Sequence, residues 1–386
     1  MSRIKVAFFA DTLKRNIDGA VRTMYQIIDH IPREDFEFVF FTGEGNSEEL
    51  GFSCVNVPTV TLPFNNTYKM ALGSLARKKI ENQLQDFQPD IIHIATPSPL
   101  GSFALKFAER HNIKVSTIYH THFLSYVDYY FRHLPVFIDA SRKLLIGHMQ
   151  NFYNRCDVIF VPSRNMIESL SSIGILNSKM RLWQRGLDAQ MFSPLKNNTE
   201  LFDKARFNVL FASRLVWEKN LKTLIDVYNQ SHQMGLPYNF IIAGDGYART
   251  ALEKEMPKAQ FLGELKQSEL SRVYASADAF IFPSVSETYG NVVVEAMASG
   301  LPCVIAKGGG TNDFIQDMHN GIICSPFDIN AYIQALEKIR NNEELKNTFV
   351  CNALSYAHSM SWEQLVCRFF EELKTLRPTS SFKMSA

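Results

Sequence analysis

The chain reads as an α/β protein made of two doubly wound, parallel-sheet domains. Short apolar runs of strand length alternate with helical stretches along nearly the whole sequence. That alternation breaks once, at the polar, proline-containing stretch Ser193-Pro-Leu-Lys-Asn-Asn-Thr-Glu200, and then resumes. A length of 386 residues is too great for one ordinary domain and ample for two.

In the first half, Ile4–Ala10 reads as a buried strand and Val21–His30 as a helix ended by Pro32. Phe36–Phe41 is strand-like, and Thr67–Phe87 reads as one helical stretch with a basic side. Ile91–Ile94, Lys114–Tyr119 and Val158–Val161 are short apolar strands, with helices over Phe103–His111 and Arg164–Ile173. Strands that are apolar throughout and joined by helices belong in a parallel sheet covered on both faces. In the second half the strands are Phe207–Ala212, Asn239–Ala243, Ala259–Leu262, Ala279–Phe282 and Pro302–Ala306. Asn220–Met234, Ala248–Met256, Ser268–Ser276 and Asn291–Ala298 are the helices between them. Asn330–Asn341, Glu343–His358 and the amphipathic Trp362–Leu376 complete the helices. The expected division is a first domain over 1–192, a linker over 193–206, a second domain over 207–358 and a terminal helix within 359–378. Two such domains facing each other across a cleft would hold ligands beyond the carboxyl ends of their strands.

Composition narrows the function. A net charge of +1 supplies no global field for nucleic acid, so no nucleic-acid partner is expected. The six cysteines have no zinc-like spacing with one another or with histidine, and read as thiols of a reducing compartment. The apolar run at the N-terminus is short, ends at Asp11 and has no cleavage-like site, so it does not read as a signal peptide. No apolar stretch approaches the roughly 20 residues of a membrane span. The expected location is the cytoplasm, at most with attachment to the inner face of the cell membrane.

The stretch Ser286-Glu-Thr-Tyr-Gly-Asn-Val-Val-Val-Glu295-Ala-Met-Ala-Ser-Gly-Leu-Pro302 is the most informative. A strand ends at Pro283, a polar loop runs to Gly290, and Asn291 opens a helix stopped by Gly300 and Pro302. A loop leading into a helix N-terminus is an anion site, because free N–H groups and the helix dipole point at it. Glu287 and Glu295 are poor phosphate ligands there but good acceptors for sugar or ribose hydroxyls. A solvated surface helix accounts for Glu295 equally well. In Phe211-Ala-Ser-Arg214-Leu-Val-Trp-Glu-Lys219-Asn-Leu, a strand ends in a loop bearing two cations that can both reach one phosphate group. A loop pair with Glu218 is the plainer alternative. No Asp-x-Asp triplet occurs to hold a divalent metal on a diphosphate. His120 and His122 invite a metal reading but lack a third ligand nearby.

The segment from Ser286 to Pro302 resembles the E-x7-E signature of the GT4 family of retaining glycosyltransferases, which have the GT-B fold. The resemblance implies that Glu287 contacts hydroxyls of the donor sugar and Glu295 the nucleotide ribose. It implies that the backbone of Gly290, Asn291 and Val292 lies against sugar and diphosphate, and that Arg214 and Lys219 bind the diphosphate and its leaving charge. The loop Asp11–Thr23 is similar to the family's glycine loop, with Gly19 near the donor phosphate, although Asp18-Gly19 departs from the usual Gly-Gly or Asn-Gly. His120 matches a family histidine beside the donor sugar and the reacting carbon. Gly309 and Gly310, in Lys307-Gly-Gly-Gly-Thr-Asn-Asp313, match a glycine loop facing the sugar, with Thr311-Asn312-Asp313 departing slightly from it. The terminal helix of this fold crosses back onto the first domain.

The run Trp183-Gln-Arg185-Gly186-Leu-Asp188, continuing to Phe192-Ser-Pro194, resembles the sulfolipid synthases and mannosyltransferases that act on lipid acceptors. Arg185 and Asp188 bracing each other is the alternative for those two. The activity implied is transfer of a hexosyl unit from a UDP- or GDP-sugar, with retention and without a metal or other cofactor, to a hydroxyl of a glycolipid precursor. A cell-envelope polysaccharide acceptor, or a sugar-nucleotide epimerase, is the alternative. Two basic segments in the acceptor half fit an anionic lipid surface, at about 1 kcal/mol per charge. One joins Arg77, Lys78 and Lys79 to Tyr68, Met70, Leu72, Leu75, Ile80 and Leu84; the other carries Arg132, His133, Arg142, Lys143 and His148. An ordinary solvated helix face explains them as well.

Overall fold

The computed structural model describes residues 2–15, 19–45, 47, 51–62, 65–119, 135–188, 190–198 and 200–377. The chain divides into two units, Met1–Gln184 with Glu363–Ala386, and Arg185–Trp362.

The first unit runs β1 (Ile4–Thr12), α1 (Gly19–Asp29), β2 (Phe36–Glu44), β3 (Ser53–Asn56), β4 (Thr59–Leu62), β5 (Asn65–Ala71), α2 (Arg77–Phe87), β6 (Ile91–Ile94), α3 (Pro99–Arg110), β7 (Lys114–Ile118), α4 (Pro135–Tyr153), β8 (Val158–Val161), α5 (Arg164–Ser172) and β9 (Met180–Leu182). Seven strands form one parallel sheet in the order β3-β2-β1-β6-β7-β8-β9. β1 lies inside this sheet, and eight of its nine residues are buried, which is why its sequence does not alternate. Asp11, near its carboxyl end, is 2% exposed and braces two neighbours. Its carboxylate accepts from the Ala71 amide at 2.9 Å and from the Thr96 hydroxyl at 2.8 Å.

Thr67–Phe87 is not one helix. β4 and β5 pair as an antiparallel hairpin with Thr59 opposite Ala71 and Val60 opposite Met70, and α2 begins only at Arg77. Spacing of apolar residues over a short stretch does not separate strand from helix; the hydroxyl-rich partner Thr59–Leu62 decides it. The basic cluster on α2 loses part of its apolar company in consequence. Ile80 and Leu84 are fully buried in the core, Arg77 is paired with Glu81, and Lys79 donates to the Asn56 carbonyl.

The second unit runs β10 (Phe207–Ala212), α6 (Leu221–Gln233), β11 (Tyr238–Ala243), α7 (Arg249–Glu255), β12 (Gln260–Gly263), α8 (Gln267–Ser276), β13 (Ala279–Phe282), α9 (Asn291–Ala298), β14 (Cys303–Ala306), β15 (Ile322–Cys324), α10 (Ile329–Asn341) and α11 (Glu343–His358). Its parallel sheet has the order β12-β11-β10-β13-β14-β15. The chain builds outward from β10 to β12 and then returns to place β13 on the other side of β10. The order therefore reverses between β10 and β13, where an open α/β sheet binds ligands. The unit starts at Arg185 rather than after residue 192. Leu187, Phe192 and Phe202 all enter its hydrophobic core, so the polar stretch 193–206 is stitched to this unit at both ends.

α12 (Trp362–Thr375) buries Leu365, Val366, Phe369, Phe370 and Leu373. Within the first unit, Phe369 packs on Phe160 at 4.7 Å and on the buried His93 at 5.4 Å, and Phe370 packs on Phe36 at 4.9 Å. The Trp183 indole donates to the Leu365 carbonyl at 2.7 Å. Burial without an opposing charge holds the His93 imidazole down at about 3, so it is neutral in this core. All six cysteines are free thiols, and burial pushes Cys156 up to about 12. Among the described residues, no helix is long and apolar enough to cross a membrane.

Candidate active site

Two loops flank the reversal point of the second sheet. After β10 the chain exposes Arg214, buries Leu215 and Val216, and makes a single turn over Trp217–Lys219. Asn220 then takes a left-handed conformation, φ 55°, that starts α6. Its amide donates to the carbonyls of Pro283, at 3.1 Å, and Pro326, at 2.9 Å. This one side chain joins the loops after β10, β13 and β15. The loop after β13 carries Glu287. Lys219 Nζ donates to Glu287 Oε1 at 2.5 Å, and the two side chains are 10% and 17% exposed. Ser286 donates to the Glu218 carbonyl at 2.9 Å, so the cation and carboxylate loops are fastened twice. A largely buried pair feels less screening than a surface one, and each charge offsets the desolvation of the other.

α9 begins at Asn291 after Gly290, whose φ of 90° is left-handed. No side chain caps this helix start. Asn291 Oδ1 is buried without a hydrogen-bond partner among the described residues, and Val292 packs partly against the core. A helix start without a side-chain cap leaves its first amides to a polar ligand or to solvent. Glu295 is only 7% exposed, and accepts from the Tyr274 hydroxyl at 3.3 Å. A plain solvated helix face therefore does not describe it.

The glycines of the loop after β14 face protein. A Cβ on Gly310 would meet the Thr288 carbonyl oxygen at 2.2 Å, and one on Gly309 would meet the Val285 oxygen at 3.0 Å. The Gly310 amide donates to the Glu287 carbonyl at 2.7 Å. Reciprocally, a Cβ on Gly290 would meet the Thr311 methyl at 2.3 Å. These glycines let two backbone loops touch, and that contact shapes the ledge on which Glu287 sits.

Tyr289 is buried, and its hydroxyl donates to the Arg185 carbonyl at 2.8 Å. Asp188 caps a turn, accepting from the amides of Gln190 and Met191. Gly186 is required by packing, since a Cβ there would lie 2.5 Å from the Trp362 ring. In the first unit, Gly19 opens α1 and Arg22 is exposed on it. His120 and His122 lie outside the described residues, as do Asp18, Arg132 and His133. Among the described residues no cluster of three His, Cys, Asp or Glu side chains is placed to hold a metal ion.

The structure thus gathers Arg214, Lys219, Glu287, Gly290, Asn291, Val292, Glu295, Gly309 and Gly310 in the second unit, most of them along the carboxyl edge of one sheet. Tyr274, Tyr289, Ser286 and Asn220 were not singled out from sequence. Their partners lie 21, 104, 68 and 63 residues away, beyond any local pattern.

Residues 17–191 match Glycosyltransferase Family 4, and residues 194–355 match Glycosyl transferases group 1. A GDP-mannose-dependent alpha-mannosyltransferase of Corynebacterium glutamicum is 27% identical over 95% of this chain and 88% of its own length. The sulfoquinovosyl transferase of Arabidopsis thaliana is 29% identical over 93% of this chain and 69% of its own. The alpha-monoglucosyldiacylglycerol synthase of Acholeplasma laidlawii is 24% identical over 91% and 92%. Among solved structures, Anabaena HepE in complex with UDP superposes with a TM-score of 0.75 at 17% identity, over 96% of this chain and 100% of that one. Two Rossmann-like parallel sheets, both domain matches and these relatives agree: the chain belongs to the glycosyltransferases, as a hexosyltransferase of the GT-B fold similar to the sulfolipid synthase and lipid mannosyltransferase subgroup.

Proposed function

We propose that the chain moves a hexosyl unit from a UDP- or GDP-sugar, with retention and without a metal, to a hydroxyl of a membrane glycolipid precursor of the diacylglycerol, ceramide or phosphatidylinositol type. The observation that supports this most is the Lys219–Glu287 pair at the reversal point of the second sheet, next to the uncapped start of α9. Arg214, Lys219 and the N-terminal amides of α9 supply positive charge to a diphosphate. Glu287 accepts from sugar hydroxyls, and Glu295 accepts from the ribose. In the transfer step the acceptor oxygen bonds to the anomeric carbon as its bond to the phosphate oxygen breaks. The departing diphosphate takes the acceptor proton on the same face. The cations stabilise the charge that grows on the leaving group. His120 is assigned to the reacting carbon on the family resemblance, and Gly19 to the donor phosphate on the same ground.

The lipid acceptor is favoured by relatives named as a diacylglycerol glucoside synthase and a sulfoquinovosyl transferase. The experiment supplies UDP- and GDP-hexoses with short-chain diacylglycerol, ceramide, phosphatidylinositol or an envelope oligosaccharide, in EDTA, and reads the new anomeric centre by NMR. An α-linked lipid product from an α-donor is expected. A β-product overturns retention, transfer to the oligosaccharide alone overturns the lipid acceptor, and dependence on added Mg2+ or Mn2+ overturns metal independence.

Attachment to an anionic membrane is part of the same proposal. On α4, Leu144 is 80% exposed, with Arg142, Lys143 and His148 also exposed. An apolar side chain among cations suits a headgroup layer. Flotation with anionic vesicles at low salt is expected to recover the wild-type protein, and Leu144→Asp with Lys143→Glu several-fold less. Failure of the wild-type protein to float would refute attachment.

A further inference from the structure

We infer that Tyr274 is the positioning residue that makes Glu295 a reader of the nucleotide ribose; this rests on the ribose role proposed for Glu295 above. Glu295 sits inside α9, at 7% exposure, on a side chain with three rotatable bonds. Such a carboxylate recognises a pair of hydroxyls only if its oxygens are held in one orientation, because each freely rotating bond must be frozen on binding. Tyr274 supplies the hold from a different helix, α8. Its hydroxyl donates to Glu295 Oε2 at 3.3 Å in a buried setting, a long hydrogen bond that orients the carboxylate without neutralising it.

The phenol is itself fixed. Tyr274 is fully buried, and its ring meets Phe280 of β13 edge-on at 5.7 Å and Phe192 at 6.0 Å. The hydroxyl is the only part of this ring that packing alone does not require. A phenylalanine would fill the same space, so a tyrosine here points to the carboxylate rather than to the core. The geometry has a consequence for selectivity. With the phenol in place, the oriented carboxylate rewards a ligand that presents ribose hydroxyls. Without it, the carboxylate loses that bias while the diphosphate contacts stay intact.

The test is calorimetric binding of UDP and GDP, each beside its 2′,3′-dideoxy counterpart, to the wild-type protein, Tyr274→Phe, Glu295→Gln and the double variant. Thermal unfolding of each variant runs alongside. The wild-type protein is expected to bind the ribonucleotide about tenfold or more tighter than the dideoxy form, the range for a hydrogen bond to a charged group. Tyr274→Phe is expected to weaken the ribonucleotide several-fold, leave the dideoxy form unchanged, and bring the ratio towards one. In the Glu295→Gln background the same substitution should add nothing. A Tyr274→Phe protein that keeps the wild-type ratio overturns the inference while leaving the ribose role standing. So does equal weakening of both nucleotide forms, or equal weakening with and without Glu295, since that marks a loosened core. A wild-type protein that does not distinguish the two sugars, or that binds neither nucleotide, overturns the ribose role of Glu295 and the inference with it.

Discussion

Replacing Glu287 with glutamine is expected to lower sugar transfer by at least about 10²-fold while the protein stays folded. The carboxylate is the acceptor placed for sugar hydroxyls, and an amide of the same shape keeps the packing but loses the charge. The more diagnostic expectation concerns the nucleotide alone. Lys219 spends its charge on Glu287 at 2.5 Å when no donor is bound. Glu287→Gln releases that ammonium, so UDP or GDP should bind more tightly even as transfer fails. Lys219→Met should do the reverse. It leaves a carboxylate that is 17% exposed without its cation, beside the place where a diphosphate must go. Nucleotide binding should fall by about tenfold or more, and stability should drop as it does when one partner of a buried pair is removed. The double variant Lys219→Met with Glu287→Gln should regain most of the stability, because the orphaned charge is gone. Calorimetry and thermal unfolding read both quantities. A Glu287→Gln protein with wild-type turnover would remove Glu287 from the site, and unchanged nucleotide affinity in that variant would show that the pair does not restrain Lys219.

Much of this was legible in the sequence, for a reason that particular residues show. β13 is apolar throughout and β10 is apolar but for Asn208, so their limits can be read within a residue or so, and the loops that follow carry Arg214, Lys219 and Glu287 in full view. Parallel winding then places the ends of successive strands on one edge, so residues far apart in sequence become neighbours. What escaped was decided by contacts at long range. The hairpin of β4 and β5 has apolar residues at spacings a helix also allows, and only its partner strand distinguishes the two. β15 has three residues, too few for any period. The boundary at Arg185 was hidden because Phe192 and Phe202 bracket the polar stretch Ser193–Glu200, whose anchoring depends on a core elsewhere. Tyr274 and Tyr289 were hidden in the same way. Each looks like an ordinary core aromatic until the hydroxyl's partner, Glu295 or the Arg185 carbonyl, is known.

The contact between the two glycine-bearing loops leads to the second large effect, Gly310→Ala. The added methyl would have to occupy a point 2.2 Å from the Thr288 oxygen and 2.9 Å from the Tyr289 Cα, both backbone atoms that cannot swing aside as a side chain can. Gly310 has no left-handed φ, so the cost is steric. The loop 284–290 must move outward by roughly an ångström to restore ordinary contact, and the Gly310 amide would then lose its 2.7 Å bond to the Glu287 carbonyl. Overpacking of this kind costs about 1–3 kcal/mol, which thermal unfolding should register. The functional cost should be larger than that figure suggests. Glu287 rides on the displaced loop, and a shift of about 1 Å in a positioned group can lower a rate by about 10²-fold. Gly147→Ala is the matched control, because a Cβ there meets nothing within 4 Å, on a helix of the other unit. It should leave transfer unchanged and, by helix propensity, raise stability slightly. If Gly310→Ala transfers sugar at the wild-type rate, the loop after β13 tolerates displacement, and the position of Glu287 is set by Lys219 and Ser286 rather than by the glycine ledge.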